Sequence, residues 1–378
     1  MADQNNAGKK TIKRHYLGRM SQIGIYFGKF FRMFIYQNDW KVLPISAIIA
    51  GLVGMVIKGN FNITREGTLM GALAISCICL WNGCFNSIQV ICRERGIVKR
   101  EHHSGMHVSA YTAAHILFQS LICLLQCVIT IVVLKFMGVH FPSEGTVIGI
   151  YFVEMFVTIF LITFSADMMS LFLSSIVHTT TAAMTLMPFI LIFQLIFSGG
   201  ILAIPKSLRP VCDYSISSYG IRCVAAENGY NEQPVITGWN TVYNMRNTEI
   251  GGSATVDEVL TFLHRTDNEM TANLNAKEVI GEVTVGDVLD FVIENPAYEE
   301  IKDEKLEVKL KVNDLLNMVG LQKAKDLICE RTSVAGKNPD YERTTENILF
   351  CWVRLLLFSA AFAGMTVVSL KFIDRDKR

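Results

Sequence analysis

The sequence is poor in what a soluble enzyme needs. It has no Gly-x-x-x-x-Gly-Lys-Ser/Thr phosphate loop, so the chain is expected to bring no ATPase of its own. Outside its apolar runs it has no His-Glu-x-x-His and no Cys-x-x-Cys, which leaves no common zinc signature. His102, His103 and His107 do cluster, but at a charged junction where interfacial histidines outnumber ligands, so no metal is expected. Charge is scarce, 18% of 378 residues against 51% hydrophobic, and from Thr146 to Ile204 only Glu154 and Asp167 carry any. Met1 to Arg14 is polar and basic with no apolar h-region, so no cleavable signal is expected.

What is present is a series of apolar runs. About 20 residues cross a hydrocarbon core of about 30 Å. Runs of that order lie at about 40–57, Gly67 to Cys92, Ser104 to Leu134, about 146–174, about 181–200 and Asn347 to Leu370. The polar cluster Ser174-Ser175 and His178 to Thr181 divides the fourth from the fifth. Between the second and third lies Arg93-Glu-Arg-Gly-Ile-Val-Lys-Arg-Glu101, with Arg93, Arg95, Lys99 and Arg100 basic, and Lys371 to Arg378 closes the chain. Basic short segments mark the cytoplasmic side. The expectation is therefore a polytopic α-helical membrane protein with six transmembrane helices and both termini cytoplasmic. Ahead of the first run, Met20, Ile23, Phe27, Phe30 and Phe34 recur at helical spacing opposite Gln22, Lys29 and Arg32, which predicts an amphipathic helix over Leu17 to Tyr36 lying in the inner leaflet. Ala47/Gly51 and Ala50/Gly54 give small-xxx-small spacing, a weak sign of a dimer face.

The segment 205–346 differs in kind. It holds 15 Lys+Arg against 24 Asp+Glu, a net of −9 where the rest of the chain is +10, and it is long enough to fold by itself. Lys305 to Val312 alternates as a strand. Thr255 to Leu263, Thr284 to Val292 and Lys311 to Val319 share one nine-residue pattern, read either as a repeat or as a recurring strand-to-helix junction. A small extracytoplasmic α/β domain is expected. The domain division is 1–39 (tail and amphipathic helix), 40–204 (five helices), 205–346 (outer domain) and 347–378 (sixth helix and tail).

Particular side chains stand out. Asn82, Phe85 and Asn86 fall within about one turn of the second run, where amides must face protein or water. Glu154 and Arg354 each lie about 11 Å from the outer end of their helix, so they are predicted to form a structural ion pair, and Asp167 is placed near the cytoplasmic face. Seven of the ten cysteines fall in apolar runs; Cys212, Cys223 and Cys329 do not, which allows an intrachain bridge, with Cys212–Cys223 the first choice, or an intermolecular one.

Glu94-Arg-Gly-Ile-Val-Lys-Arg-Glu101, then Ser104-Gly105 and Val108-Ser-Ala-Tyr111, resembles the junction of the second and third membrane helices of ABCG-type exporters of the ABC-2 superfamily. Asn82-Gly-Cys-Phe85 resembles that family's Asn-x-Cys-Phe, and Phe197-Ser-Gly199 with Tyr214, Tyr219-Gly220 and Glu227 resembles the end of its fifth helix and a re-entrant hairpin. The resemblance implies an ABCG-like fold whose charged segment, 93–104, is a coupling helix, with Glu94, Arg95, Arg100 and Glu101 contacting a separate ATPase. Lys29 to Asp39 resembles its connecting helix. The resemblance also implies a substrate path past Asn82, Phe85, Asn86, Ile192 and Leu195, closed above by Gly200 and Ile201, where Gly200 departs from the bulky residue the family has. On that reading the chain is a permease subunit of an exporter of hydrophobic or amphipathic substrates, acting in the lipid bilayer as a dimer, homo or hetero, with a second permease copy. ATP and Mg would sit on the partner ATPase and no cofactor or nucleic acid on this chain. By analogy the location is a bacterial plasma membrane. The alternative is a non-transporting receptor or sensor whose outer domain binds a ligand.

Overall fold

The structure, a computed structural model, describes residues 18–200, 205–264, 279–280, 283–335 and 337–372. Contacts divide them into two units: a helical unit made of residues up to Asn62, Gly67–Tyr230 and residues from Asp340 onward, and a smaller unit made of Ile63–Glu66 and Asn231–Pro339.

The helical unit begins with α1 (Arg19–Tyr36), then a single 3-10 turn at Asp39–Lys41 entered through a left-handed Asn38. α2 (Val42–Ile57), α3 (Arg65–Ser87), α4 (Val90–His103), α5 (Val108–Phe136), α6 (Tyr151–Ile176) and α7 (Thr180–Ile196) follow. A short α8 (Arg209–Cys212) precedes α9 (Ile216–Glu227). The last helix of this unit, α16 (Thr345–Lys371), closes the described chain. Among the described residues, five helical stretches are long and apolar enough to cross a membrane: Asp39–Ile57, Arg65–His103, Val108–Phe136, Tyr151–Ile176 and Thr345–Lys371. α7 is apolar but shorter, at 17 residues, and carries Pro188 inside it. It starts on an N-cap, Thr179, whose side chain accepts from the Ala182 N–H at 3.2 Å.

α6 is the centre of the unit. It is buried along most of its length because it carries small and hydroxyl residues on several faces. Gly83 of α3 lies against it so closely that a Cβ there would sit 2.2 Å from the Thr163 carbonyl oxygen. On another side, Ser165 donates to the Leu355 carbonyl and meets the Ser359 hydroxyl, both at 2.9 Å, which locks α6 to α16. Ile75, Cys79, Ile159, Ile162, Ile221 and Leu355 fill the space between these helices. A second core lies where Phe30 and Tyr26 of α1 meet Tyr111 and Phe118 of α5.

Several sequence expectations change here. The small-residue stripe of α2 is used within the chain: Ala50 is fully buried, and a Cβ on Gly54 would meet Met137 at 3.0 Å. It packs α2 on the α5 end. The fourth helix starts at Tyr151, since the residues before it fold back over Glu154. Asp167 is fully buried among the helices, taking a hydrogen bond from the Ser87 hydroxyl of α3.

In the second unit, β1 (Glu249–Thr255) pairs antiparallel with β4 (Lys305–Lys311), from Glu249 opposite Lys311 to Thr255 opposite Lys305. β2 (Val279–Ile280) pairs with β3 (Val283–Thr284). The helices are α10 (Thr237–Asn244), α11 (Val256–His264), α12 (Val285–Glu294), α13 (Tyr298–Ile301), α14 (Val312–Val319) and α15 (Leu321–Ala335). The three copies of the nine-residue pattern each fall on a strand-to-helix junction: β1 into α11, β3 into α12 and β4 into α14. Residues 63–66 join this unit through Arg65, which donates to the carbonyls of Ser333 at 2.8 Å and Asn231 at 2.9 Å, and Glu66, which accepts from Thr237. The boundary is thus Asn231–Pro339 plus 63–66, and α8 and α9 belong with the helices.

Candidate coupling and transport site

The charged segment is a helix, not a turn. α3 ends at Ser87 and α4 begins at Val90, and Ser174 of α6 caps that restart by accepting the N–H groups of Ile91 and Cys92 at 3.0 and 3.1 Å. Free amides at a helix start need such a partner. At the other end, Met106 N–H reaches the Glu101 carbonyl and Gly105 N–H the His102 carbonyl, both at 3.1 Å, with Gly105 at φ 104. This is a Schellman C-cap, so the Ser104-Gly105 pair is the stop signal of α4.

Of the four expected coupling residues, three turn inward. Glu94 is buried, and Lys29 of α1 lies 3.5 Å from it and 3.3 Å from Glu101. Arg95 donates to the carbonyls of Ser175, at 2.6 Å, and Val177 at the end of α6. Only Arg100 is exposed, its side chain bonded to its own helix at the Gly96 carbonyl. The outward face of α4 is Arg93, Gly96, Ile97 and Arg100. The reason is geometric: residues 94, 98 and 101 share one face, and Val98 on that face is buried in the core. Sequence reading missed Lys29 and Gln22 as the other half of this junction. Gln22, expected on a solvated face, is buried, accepts from the His107 N–H at 2.9 Å and donates to the Gly105 carbonyl at 3.4 Å. Their one signal was position: both lie on the polar stripe of an amphipathic helix beside a segment of mixed charge.

The expected substrate residues divide as well. Asn82 is buried and donates to the Ser46 hydroxyl of α2 at 2.9 Å, so it ties two helices together. Asn86 pairs amide to amide with Gln126 of α5, at 2.8 and 3.1 Å. Phe85 is 42% exposed, its ring 5.5 Å from that of Trp81, and Ile192 is 53% exposed on α7. Leu195 is half-buried, and Gly200 is buried with space for a Cβ limited by Ile221 at 3.2 Å. Ile201 lies outside the described residues.

Two structural bets fail. Glu154 makes no ion pair with Arg354; its Oε2 instead accepts the N–H groups of Thr146 at 2.8 Å and Val147 at 2.9 Å, and Arg343 braces the same loop through the Thr146 hydroxyl. Arg354 lies over the rings of Phe350 and Tyr219, at 5.1 and 6.0 Å, because Cys351 and Leu355 occupy the face of α16 turned to α6. Depth along the helices was matched, but azimuth was not. The second is the disulfide: Cys212 and Cys223 are both free. Cys223 faces the helices instead, 3.4 Å from the Thr158 hydroxyl, and the same hydroxyl donates to Glu227. Among the described residues no cluster of His, Cys, Asp or Glu could hold a metal.

Long apolar helices joined by a charged, anchored helix define a multi-pass membrane protein with a built junction at one end. Residues 21–226, more than half of the chain, match the family described as ABC-2 type transporter, and the chain belongs to that family. No curated protein matches it. The family's membrane component associates with an ABC ATPase and is not itself one.

Proposed function

We propose that the chain is the permease subunit of an ABCG-like ABC exporter, moving a hydrophobic or amphipathic substrate through a cavity between two copies of itself. ATP and Mg are bound and consumed on separate ATPase chains. On this reading α7 is the fifth of six spanning helices, α4 is the coupling helix on the cytoplasmic side, and the unit around β1 and β4 is extracytoplasmic. A bacterial plasma membrane fits a permease separate from its motor. The observation that carries the proposal is α4: a charged helix fixed on three sides to its own bundle that still turns Arg93, Ile97 and Arg100 outward. The exposed Phe85 and Ile192 supply apolar walls for a shared cavity.

The test is co-purification with the ATPase encoded beside the gene. Wild type should retain it with turnover, while Ile97→Asp and Arg100→Glu should lose it with the thermal midpoint unchanged, since neither side chain is packed inside. Retention of the ATPase by both variants would refute the docking role of α4, and its absence from wild type would remove the motor and favour the sensor.

A further inference from the structure

We propose that a cavity at the α1–α4 end of the helical unit binds one zwitterionic glycerophospholipid, with an acyl chain inside and the headgroup at the Arg93–Asp39 pair. The site rests on the placement of α1 and α4 at the cytoplasmic leaflet given above. Phe85 and Asn86 also line it, so it borders the wall assigned to the cavity between copies.

The cavity holds about 170 Å³ and is walled by Phe30 and Phe34 of α1, Val42 of α2, and Phe118 and Ile122 of α5. That exceeds the ~150 Å³ in which an apolar pocket takes up a benzene ring, so a stretch of hydrocarbon fits. The lining is not all apolar, since Asn86, Gln89, His115 and Gln119 belong to it. His115 is 1% exposed, its ring stacked 3.7 Å from that of Phe30 and edge-on to Tyr111 at 4.6 Å, and neither of its ring nitrogens has a hydrogen-bond partner. Buried polar groups are nearly always satisfied, so an orphaned imidazole lining a cavity points to a ligand atom. The ester oxygens of a lipid, between its head and its acyl chain, are such atoms.

The mouth selects the head. Arg93 Nη2 and Asp39 Oδ2 are 3.1 Å apart and both side chains are partly exposed. An exposed pair of this kind has little net worth and opens readily. A phosphate can then take Arg93 while an ammonium takes Asp39. An anionic head would have to face Asp39 unmatched, and an uncharged one would engage neither group.

The full-length chain, in discs of phosphatidylglycerol, would be given a phosphatidylethanolamine probe carrying a diazirine in one acyl chain. Adducts would be mapped by mass spectrometry. Adducts at Phe34, Phe118 and Ile122 should exceed those at Val132 and Leu125, exposed side chains further along the same helix, by about tenfold, the scale of one well-made charged contact. A phosphatidylglycerol probe with the same tail should label the cavity about tenfold less, and Asp39→Asn should erase that difference. Ile122→Trp should abolish cavity adducts while those at Val132 persist, which shows that the protein remains folded. Uniform labelling along α5 would overturn the site, and equal labelling by the two probes would overturn the zwitterionic occupant. If the cavity labels as expected in a chain that captures no ATPase, the exporter reading falls and this site stands.

Discussion

Replacing Lys29 by Met should be costly for a residue that is still partly in water. Lys29 lies 3.5 Å from Glu94 and 3.3 Å from Glu101, and its side chain is 28% exposed. Each contact is worth about 4 kcal/mol of Coulomb energy at an effective dielectric near 20, before desolvation and screening take most of it back. Glu101 is 32% exposed and can turn to water, so the deciding group is Glu94, 6% exposed, whose Oε2 has no hydrogen bond. Stranding that carboxylate should cost about 2 kcal/mol, or about 2.5 °C in the melting midpoint of a chain this size. Glu94→Gln alone should cost less than about 1 kcal/mol, because Lys29 keeps Glu101. The double variant should recover most of the loss, giving a coupling of about 1 to 2 kcal/mol. Thermal unfolding in detergent, followed by intrinsic fluorescence, measures all three. If Lys29→Met falls no further than Lys58→Met, at an exposed position, or if the two changes simply add, Lys29 does not hold the junction together.

Three further outcomes can be measured on the same preparation. Gly105→Ala should lower stability by about 1 kcal/mol, since φ 104 strains a residue with a Cβ, and Gly96→Ala on the open face of the same helix should raise it slightly. Glu154→Leu strands the N–H groups of Thr146 and Val147 and should cost about 2 kcal/mol, whereas Arg354→Leu should cost about 1 kcal/mol or less; a double-mutant coupling above about 0.5 kcal/mol would restore the ion pair argued against above. Alkylation without reductant should modify Cys212 and spare the buried Cys223 until the protein unfolds, and a disulfide-linked peptide joining them would contradict the structure.

Much of the helical unit is legible in the sequence because hydrocarbon enforces simple rules. Long uncharged runs gave α2, α3, α5, α6 and α16 to within a few residues, and the Ser104-Gly105 stop and the three strand-to-helix junctions were marked by local residue choice. What failed was orientation about a helix axis. Depth is counted at 1.5 Å per residue, but whether Glu154 meets Arg354 or a backbone loop depends on azimuth and on loop geometry that no periodicity encodes. The same gap hid the inward turn of three of the four coupling residues. Alternating charge reads as a solvated face, yet Glu94, Arg95 and Glu101 are spent on the chain's own Lys29, Ser175 and Val177.

That inward spending bears on how motion at α4 would reach the rest of the bundle. Arg95 grips the last carbonyls of α6, and Ser174 of α6 caps the start of α4, so a displacement of α4 carries the end of α6 with it. α6 in turn is bonded to α16 through Ser165 and Ser359, and to α9 through Thr158 and Glu227. A chain of contacts is not yet a coupling, which needs a measured effect of one end on the other. Arg95 offers that measurement, because it is half-buried and touches α6 without lying on the outward face. With the motor bound as proposed, Arg95→Met should leave ATPase capture and basal turnover intact, since Arg93, Ile97 and Arg100 are untouched. It should uncouple turnover from transport, seen as ATP hydrolysis that amphipathic substrates no longer stimulate. A parallel loss of capture would mean that Arg95 only shapes the docking face, and unchanged stimulation would mean that α6 takes its motion from elsewhere, with α1 and Lys29 the remaining route.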